Sequence, residues 1–349
     1  MHGRTATVPA ADPAPNPTYG MAAQGGRLSR GQRIFNVLLG MITAALVLPF
    51  VVLYTRELAT TVARAGDPVT LAKWIYWYLL NNVRALPAYF AGLVVVFALQ
   101  WIRPVDRAQG AFSPAVRTDI LYSVVMFAFY ATVAPAYLGW LKALATDVVP
   151  SMEIVRADVL PPVAQIVVGY LAVDFLGWLH HLVRHKVPLF WAFHAVHHSQ
   201  EELNPFSNER VHLLDWFVAN LVKFLPAFFF TESMGIVLNY IVIHKFLDHL
   251  NHANVRTNLG PLRYVFVTPQ SHRIHHAVER EYFDLNYGVS LSLWDHLFGT
   301  QCRDYEVYPA TGIPDRSYPS ETALGSGGVV RSFLRQQVYP FRKIRRYFD

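Results

Sequence analysis

Cysteine is almost absent from this chain of 349 residues, and charged residues are scarce. Cys302 is the only cysteine, which excludes internal disulfides, thiolate zinc clusters and any iron–sulfur cluster that this chain could build alone. Gly-rich nucleotide-binding fingerprints are also missing, so no flavin or nicotinamide site is predicted. Any metal chemistry therefore has to use histidine and carboxylate ligands.

Charged residues make up only 15% of the chain, whereas hydrophobic residues make up 53%. A soluble protein carries about a quarter charged residues to cover its surface, so the deficit indicates that much of this surface faces lipid. Basic residues outnumber acidic ones by 30 to 24. The long apolar runs favour an anionic membrane face over nucleic acid as the partner of this charge, and no nucleic-acid-binding motif accompanies it.

Long apolar runs predict an all-α fold with a multi-span transmembrane domain. Four runs are long enough to cross a bilayer: Val37–Tyr54, Ala85–Ile102, Ile120–Leu141, and a fourth that runs from Leu160 to about Leu179. Polar residues interrupt a further stretch, Trp216–Ile243, which favours a re-entrant or interfacial pair of helices. The positions of Arg and Lys place everything after the fourth span in the cytoplasm, and we expect a multi-pass protein of a bacterial inner membrane.

These runs divide the chain into four regions. Residues 1–30 are rich in Ala, Gly and Pro and predict a disordered tail, residues 31–160 hold transmembrane helices, and residues 161–301 form a histidine-rich domain. Residues 302–349 contain FLRQQVYPFRKIRRYF (residues 333–348), a basic and aromatic segment that predicts a membrane-surface anchor. A solvated tail explains that segment equally well.

Histidine is concentrated in about one third of the chain. Fourteen of the fifteen histidines lie between His180 and His296, and three clusters have helical spacing. The clusters are HLVRH (His181, His185), HAVHH (His194, His197, His198) and HRIHH (His272, His275, His276). Residues three and four apart share one face of a helix, so each cluster can present its imidazoles to one side. Thr268 and Pro269 form a helix-start signature before the third cluster.

The number of imidazoles favours two metal ions, because the eight in the clusters exceed what one ion needs. Imidazole suits Zn, Cu, Fe or Ni, so the ligand type does not select the metal. His252 is a ninth candidate, and Asp248, one helical turn before it, could orient its ring. A single HxxxH pair on an apolar helix is usually a packing feature, but three clusters in one segment reverse that expectation.

Five segments in order resemble the sterol desaturase and fatty acid hydroxylase superfamily, over about residues 170–301. They are DFLGWLHHLVRH, FWAFHAVHHS, HANVRTNLGPL, TPQSHRIHH and DLNYGVSLSLWDHLFGT. The resemblance implies a helical membrane domain with a cytoplasmic helical cap, and a di-iron site held by the eight box histidines and His252, with zinc as an alternative metal. It also implies hydroxylation or desaturation of a lipid C–H bond (sterol, fatty acyl or ether lipid) with O2, and electrons from an external reductase and redox carrier.

Some polar residues near the boxes are open to two interpretations. His212 lies in RVHLLDW, which is similar to the family's Arg-x-His-Pro element, and a ligand role and a structural role are equally well supported for it. His249, three residues before His252, is either a further ligand or a hydrogen-bonding residue. Asp284 and Asp295 match the family's closing motif, where turn formation and helix anchoring explain them.

Asp174 lies within the otherwise apolar fourth span, where an unpaired carboxylate is costly. A functional or paired role is therefore favoured. We assign Asp174 to the catalytic machinery, with the hypothesis that it accepts a hydrogen bond from a ligand imidazole.

Two other classes of membrane protein use buried histidines. A non-catalytic metal-binding or transport protein strings its ligands along a membrane path, and a bis-histidine haem carrier places paired histidines at opposite levels within spans. Here the boxes follow the spans and form tight clusters. The pattern therefore favours an oxygenase over both alternatives.

Overall fold

The computed structural model describes residues 87–148, 160–229, 244–321 and 328–347, together with a few positions between Ser29 and Met41. The predicted disordered tail and the first predicted span, Val37–Tyr54, lie almost wholly outside these residues, as does the second half of Trp216–Ile243. In the described part of the chain the regular structure is helical, apart from two isolated β-bridges. The predicted all-α class is confirmed for these residues.

The α-helices of the described residues are α1 (Pro87–Ile102), α2 (Pro114–Val148), α3 (Pro162–Lys186), α4 (Pro188–His198), α5 (Leu213–Phe229), α6 (residues 244–252), α7 (Pro269–His275), α8 (Leu293–Phe298) and α9 (Val329–Arg345). Short 3-10 helices lie at Ser207–Glu209, Gly260–Tyr264 and Arg280–Tyr282. The long α3 packs against α4 and α5, while α9 packs against α2 and α4. Aromatic side chains of α2 and α5 fill the core between these two helices, including Tyr137, Trp216 and Phe217.

One helix among the described residues is long and apolar enough to cross a bilayer, judged by length and composition. It covers Val163–Lys186 within α3 and overlaps the fourth predicted span. Val163, Ile166 and Val167 in its first half are exposed, as expected of side chains that contact lipid. Shorter apolar helical segments lie at Ala91–Ile102 and Leu213–Val222. The arrangement of several spans goes beyond this finding and stays a prediction.

Prolines set the direction of the chain between α3 and α4. Val187 is extended (φ −99°, ψ 115°), because a residue that precedes proline is driven out of the helical region. Pro188 then starts α4 at a position where its missing N–H is not needed. The chain therefore turns within one residue, and this turn brings the histidine clusters of α3 and α4 next to each other.

A buried charge network joins three distant parts of the chain. The guanidinium of Arg210 contacts Asp119 of α2 (Nε to Oδ1, 2.6 Å) and Glu321 (Nη1 to Oε1, 2.9 Å), and all three residues are buried. Asn204 and Ser207 donate further hydrogen bonds to Oδ2 of Asp119, at 2.8 and 2.7 Å. Buried charges are tolerated only when they are paired and hydrogen-bonded. The network therefore fixes α2 and the segment before α9 to the loop that follows α4.

We expect Asp119→Asn to destabilise the protein strongly, because it removes the negative charge that compensates the buried Arg210. Breaking a buried ion pair on one side costs about 3–5 kcal/mol of unfolding free energy. Thermal or denaturant unfolding of the detergent-solubilised chain measures this loss. Glu281→Gln changes an exposed carboxylate and should leave stability within about 0.5 kcal/mol. Equal stability of the two variants would show that the network contributes little.

Candidate metal centre

Helix ends position the predicted ligands. His181 and His185 lie near the end of α3, and the HAVHH histidines lie at the end of α4. The third cluster begins on α7, whose start is fixed by a capping box: Ser271 N donates to the Thr268 hydroxyl (3.1 Å), and Thr268 N donates to the Ser271 hydroxyl (2.9 Å). The predicted helix start at Thr268 is confirmed.

Nine histidines come together in two groups. Within each group, one ring nitrogen of every histidine lies within 4.8 Å of those of the other members. The first group is His181, His185, His194, His198 and His275, and the second group is His197, His252, His272 and His276. These are the eight histidines of the three clusters and His252. The two groups are adjacent, since the rings of His198 and His276 stack with their centroids 4.3 Å apart.

Backbone carbonyls fix the protonation of two rings in the first group. Nδ1 of His181 faces the carbonyl oxygen of Tyr287, and Nδ1 of His275 faces that of Leu285, both at 2.9 Å. A carbonyl oxygen only accepts, so each Nδ1 carries the proton and each Nε2 keeps a lone pair. The Nε2 atoms of all five rings in the group are buried without a hydrogen-bond partner. Such atoms are rare in folded proteins, and five together fit a bound metal ion.

The second group has the same protonation pattern around His252. Its Nδ1 faces the carbonyl oxygen of Asp248 (2.7 Å), with the Asp248 carboxylate at 3.3 Å, so its Nε2 also has a lone pair. That Nε2 lies 3.2 Å from Nε2 of His197 and 3.0 Å from Nε2 of His272. Nε2 of His276 lies 3.1 Å from the same atom of His272. Four converging ring nitrogens fit ligation of one cation better than mutual hydrogen bonding.

Burial keeps the imidazoles outside the candidate span neutral. It lowers the pKa of His275 to about 4, although the hydrogen bond to Leu285 acts in the opposite direction. Burial, helped by neighbouring imidazoles, also lowers the pKa of His198, His272 and His276 well below the ordinary histidine value. Neutral imidazole is the form that binds a metal. The site is therefore prepared for metal binding at neutral pH.

An ion pair that the sequence did not reveal lies beside the first group. Oδ2 of Asp215 accepts a hydrogen bond from Nη1 of Arg184 (3.0 Å) and lies 3.5 Å from Nδ1 of His194. Nη1 of Arg184 also donates a hydrogen bond to Nδ1 of His194 (3.2 Å), so the ion pair orients this ring through the guanidinium, which Asp215 holds in place. Arg184 and Asp215 belong to different helices, α3 and α5, so their spacing in the sequence gave no signal of this contact.

The segment after α7 supplies the carbonyls that face the first group. Asp284 and Asn286 have positive φ angles (63° and 58°), a conformation that Asp and Asn tolerate better than most residues. Asn286 is also tied to the carbonyl oxygen of Ser271 and to the backbone N–H of Cys302, at 2.9 and 2.8 Å. Turn formation in DLNYG thus places the carbonyls of Leu285 and Tyr287 against ligand rings, a role beyond the one predicted.

Asp295 holds this segment in place. Its buried carboxylate accepts hydrogen bonds from the backbone of Tyr287 (2.9 Å) and Gly288 (2.7 Å) and from Nε1 of Trp178 in α3 (2.9 Å). A Cβ at position 288 would lie 2.9 Å from Oδ2 of Asp295 and closer still to Val267, so glycine is required here. Asp295 therefore positions Tyr287 and, through it, His181.

His212 and His249 lie outside both groups. Nε2 of His212 contacts the carbonyl oxygen of Gln337 (2.9 Å), and its Nδ1 accepts from the backbone N–H of Leu214 (3.1 Å), so both ring nitrogens serve the start of α5 and its contact with α9. Nδ1 of His249 contacts the carbonyl oxygen of Pro205 at 2.7 Å. These positions favour the structural interpretation for His212 and the hydrogen-bonding interpretation for His249.

Asp174 lies against the segment before α8. Its carboxylate accepts hydrogen bonds from Nε1 of Trp294 (2.9 Å) and from the backbone N–H groups of Ser290 (3.2 Å) and Leu291 (3.3 Å). These contacts tie α3 to residues 290–294, whereas the hypothesis was a hydrogen bond from a ligand imidazole. They support a positioning role, and a catalytic role for Asp174 stays a prediction.

The family model described as fatty acid hydroxylase matches residues 166–300, a range that holds all nine histidines of the two groups. Residues 166–300, less than half of the chain, therefore match the fatty acid hydroxylase family. The sequence resemblance to this family is thereby confirmed, and with it the assignment to lipid-oxidising oxidoreductases.

Related proteins align with different shares of this chain. Ornithine lipid hydroxylase OlsE of Rhizobium tropici is 26% identical over 259 residues, which cover 73% of this chain and 75% of that protein. Human alkylglycerol monooxygenase is 35% identical over 133 residues, 38% of this chain, but only 29% of the length of that enzyme is matched. The Xenopus tropicalis enzyme of that name is 33% identical over 132 residues. No solved structure matches the chain significantly.

A small cavity of about 40 Å³ opens on the first group of the fatty acid hydroxylase domain. Its lining includes His185, His198 and His275 of the first group and the apolar side chains of Trp191, Phe283 and Ile313. Apolar walls next to metal ligands suit a small apolar reactant. A small molecule in this cavity would contact three rings of the first group.

We expect acid to destabilise the metal-free protein. In the folded chain His275 takes up a proton only near pH 4, whereas in the unfolded chain histidines do so near pH 6.5. Between these values the unfolded state binds more protons, so the unfolding free energy falls as the pH falls through that window. Thermal unfolding of the metal-free protein at several pH values measures the slope. His275→Gln should make the slope shallower, and a flat profile for the unaltered protein would contradict this account.

Proposed function

We propose that this protein is a membrane-bound hydroxylase that uses two iron ions, one at each histidine group, to oxidise a C–H bond of a lipid. The observation that carries the proposal is the convergence of nine imidazoles, most of them buried, in two adjacent groups. One ion with an open position for a reactant does not use so many ligands. When bound there, the iron ions would supply the redox chemistry that activates O2.

The proposed reaction consumes one O2, two electrons and two protons for each lipid. One oxygen atom enters the lipid as a hydroxyl group, and the other leaves as water. Since the chain has no flavin or nicotinamide fingerprint and only one cysteine, the electrons come from a separate reductase and redox carrier. Desaturation begins with the same hydrogen abstraction, but two of the related proteins are named a hydroxylase and a monooxygenase, which favours insertion of oxygen.

The chain's own residues hold the ligands and exclude water. Carbonyls of Tyr287, Leu285 and Asp248 keep Nε2 of three ligand rings free of protons. Burial of the histidines removes solvent that would quench a reactive intermediate. The apolar cavity at the first group is the place where the reacting carbon and O2 would meet the site.

We infer that the substrate is an acyl lipid of the membrane. The candidate span in α3 ends at the first group, so a lipid need not leave the bilayer completely to reach it. OlsE is named an ornithine lipid hydroxylase and aligns with 73% of this chain, so ornithine lipids are the first substrates to test. A cytoplasmic active site in a multi-pass inner-membrane protein agrees with the distribution of Arg and Lys.

Metal transport is supported less well by the described residues. A transporter strings its ligands along a path, whereas these imidazoles form two compact groups at the end of the candidate span. Zinc would suit the same ligands, so metal analysis separates a di-iron oxygenase from a zinc protein.

We expect the protein purified from iron-replete cells to hold about two iron ions per chain, one for each group. His272→Ala removes a ligand from the second group and should lower the iron content, because the remaining imidazoles no longer complete the site. Elemental analysis of the detergent-purified protein gives the stoichiometry. His296→Ala alters a histidine outside both groups and should retain iron. Zinc in place of iron, or equal iron in both variants, would contradict the di-iron assignment.

We expect expression of the chain in a host that contains ornithine lipids to produce lipids that are one oxygen atom heavier. Mass spectrometry of total lipids distinguishes hydroxylation from desaturation, which makes products two hydrogens lighter. His272→Ala should abolish the product and His296→Ala should retain it. Absence of any oxidised lipid, despite full iron content and a supplied reductase, would contradict the choice of ornithine lipids.

A further inference from the structure

Helix α9 has one buried and one exposed face. Toward the protein it buries Ser332, Gln336, Tyr339, Pro340 and Lys343 against the rest of the chain. On the opposite side, four apolar residues are largely exposed: Val330 (62%), Leu334 (56%), Val338 (44%) and Phe341 (52%). Spacings of four, four and three residues place them in one line along the helix, which we call the apolar stripe. The ring of Phe341 contacts Phe193 and His212 on one side, while the other three residues are exposed along the rest of the stripe.

Arginines border one edge of the apolar stripe. Arg331, Arg335, Arg342 and Arg346 are exposed and follow the stripe within about a quarter turn around the helix axis. None of the four forms an ion pair within the described residues, although Arg346 donates a hydrogen bond to the Ser317 hydroxyl (3.0 Å). Helix α9 contains no acidic residue. The exposed face is therefore apolar along its centre and positively charged along one edge.

A cavity of about 410 Å³ lies at this arginine edge. Its lining includes Arg335, Arg342, Lys343, Arg346, Ser317 and Tyr339. Lys343 is compensated by Asp315, at 2.5 Å from Nζ to Oδ2, and Asp315 also accepts a hydrogen bond from Tyr339. The three arginines remain uncompensated, and their planar donors match the oxygens of a phosphate group.

We propose that the exposed face of α9 docks on an anionic phospholipid bilayer, with the apolar stripe at the level of the upper acyl chains and a headgroup phosphate in the arginine cavity. An exposed apolar line next to basic side chains is the pattern of a helix that lies in the membrane interface. The position of α9 agrees with this, since it packs on α4, which begins two residues after the candidate span ends. Headgroups are found at that level of a spanning helix.

A second copy of the chain fits this face less well. The same face of another molecule would bring only apolar and basic side chains, because α9 has no acidic residue to pair with the arginines. A soluble polyanion would satisfy the arginines but leave the apolar stripe in water. An anionic bilayer satisfies both, which is the reason to choose it as the occupant.

The test places a fluorescent probe on the apolar stripe of the full chain. Leu334→Cys, in a Cys302→Ser background, gives a single cysteine for an environment-sensitive NBD label. The labelled protein is reconstituted in nanodiscs of phosphatidylcholine with or without phosphatidylglycerol. We expect a blue shift of the emission and slower reduction by dithionite when phosphatidylglycerol is present, and loss of both effects at high salt, because basic residues are attracted to an anionic surface.

Charge reversal identifies the residues responsible. Arg335→Glu with Arg342→Glu should lower the equilibrium constant for docking by about 25-fold or more, since loss of each arginine near an anionic surface costs about fivefold and the added carboxylates are repelled. Arg280→Glu with Arg303→Glu makes the same change of charge at exposed arginines away from α9 and should have no such effect. The iron content and the thermal midpoint of every variant are measured as checks of folding. Both can be measured without knowing the lipid substrate.

Three results would overturn the proposal. Equal protection of the label in neutral and anionic nanodiscs would show that headgroup charge does not matter. Protection that requires two chains in one nanodisc would assign the face to a second copy. Protection by inorganic phosphate in detergent, without a further effect of phosphatidylglycerol, would assign the cavity to a free phosphate ion.

Discussion

The constraint on which this structure depends is that nine imidazoles, most of them buried, meet in two adjacent groups with their ring nitrogens close together. Left alone, a buried imidazole can carry its proton on either nitrogen. The rings of His181, His275 and His252 lose that freedom, because a backbone carbonyl oxygen of another residue faces Nδ1 of each ring and can only accept its proton. A carbonyl cannot be titrated or replaced by mutation of its side chain, so the backbone itself defines the ligand form of these rings.

Two buried carboxylates hold the segment after α7, which supplies the carbonyls that face His181 and His275. Asp295 accepts hydrogen bonds from the backbone of Tyr287 and Gly288 and from the indole of Trp178. Asp174 of α3 accepts hydrogen bonds from Trp294 and the neighbouring backbone. Both act on the same stretch of chain, which turns sharply at Asp284 and Asn286. A charge placed in an apolar helix thus supports the site by anchoring a loop that has no regular hydrogen-bonding pattern of its own.

Local spacing made the helical class, the helix start at Thr268 and the eight clustered histidines predictable. What the sequence could not show was how the clusters divide. His194 and His198 join the first group while His197 joins the second, and this depends on how α4 and α7 face each other. Asp215 beside His194 and the partners of His212 also come from contacts between helices far apart in sequence. Asp174 was singled out as a functional or paired carboxylate, but its hydrogen-bond partners could not be predicted because they lie more than a hundred residues away.

The single extended residue between α3 and α4 has a mechanical consequence. Because only Val187 separates the helices, one residue more or less at this point would turn α4 by about 100° and swing its histidines away from those of α3. The candidate span is therefore joined to the histidines of α4 by a connection of one residue. In the proposed membrane-bound enzyme, the depth of α3 in the bilayer would set the height of the two groups above the acyl chains, and hence which carbon of a lipid tail they could reach.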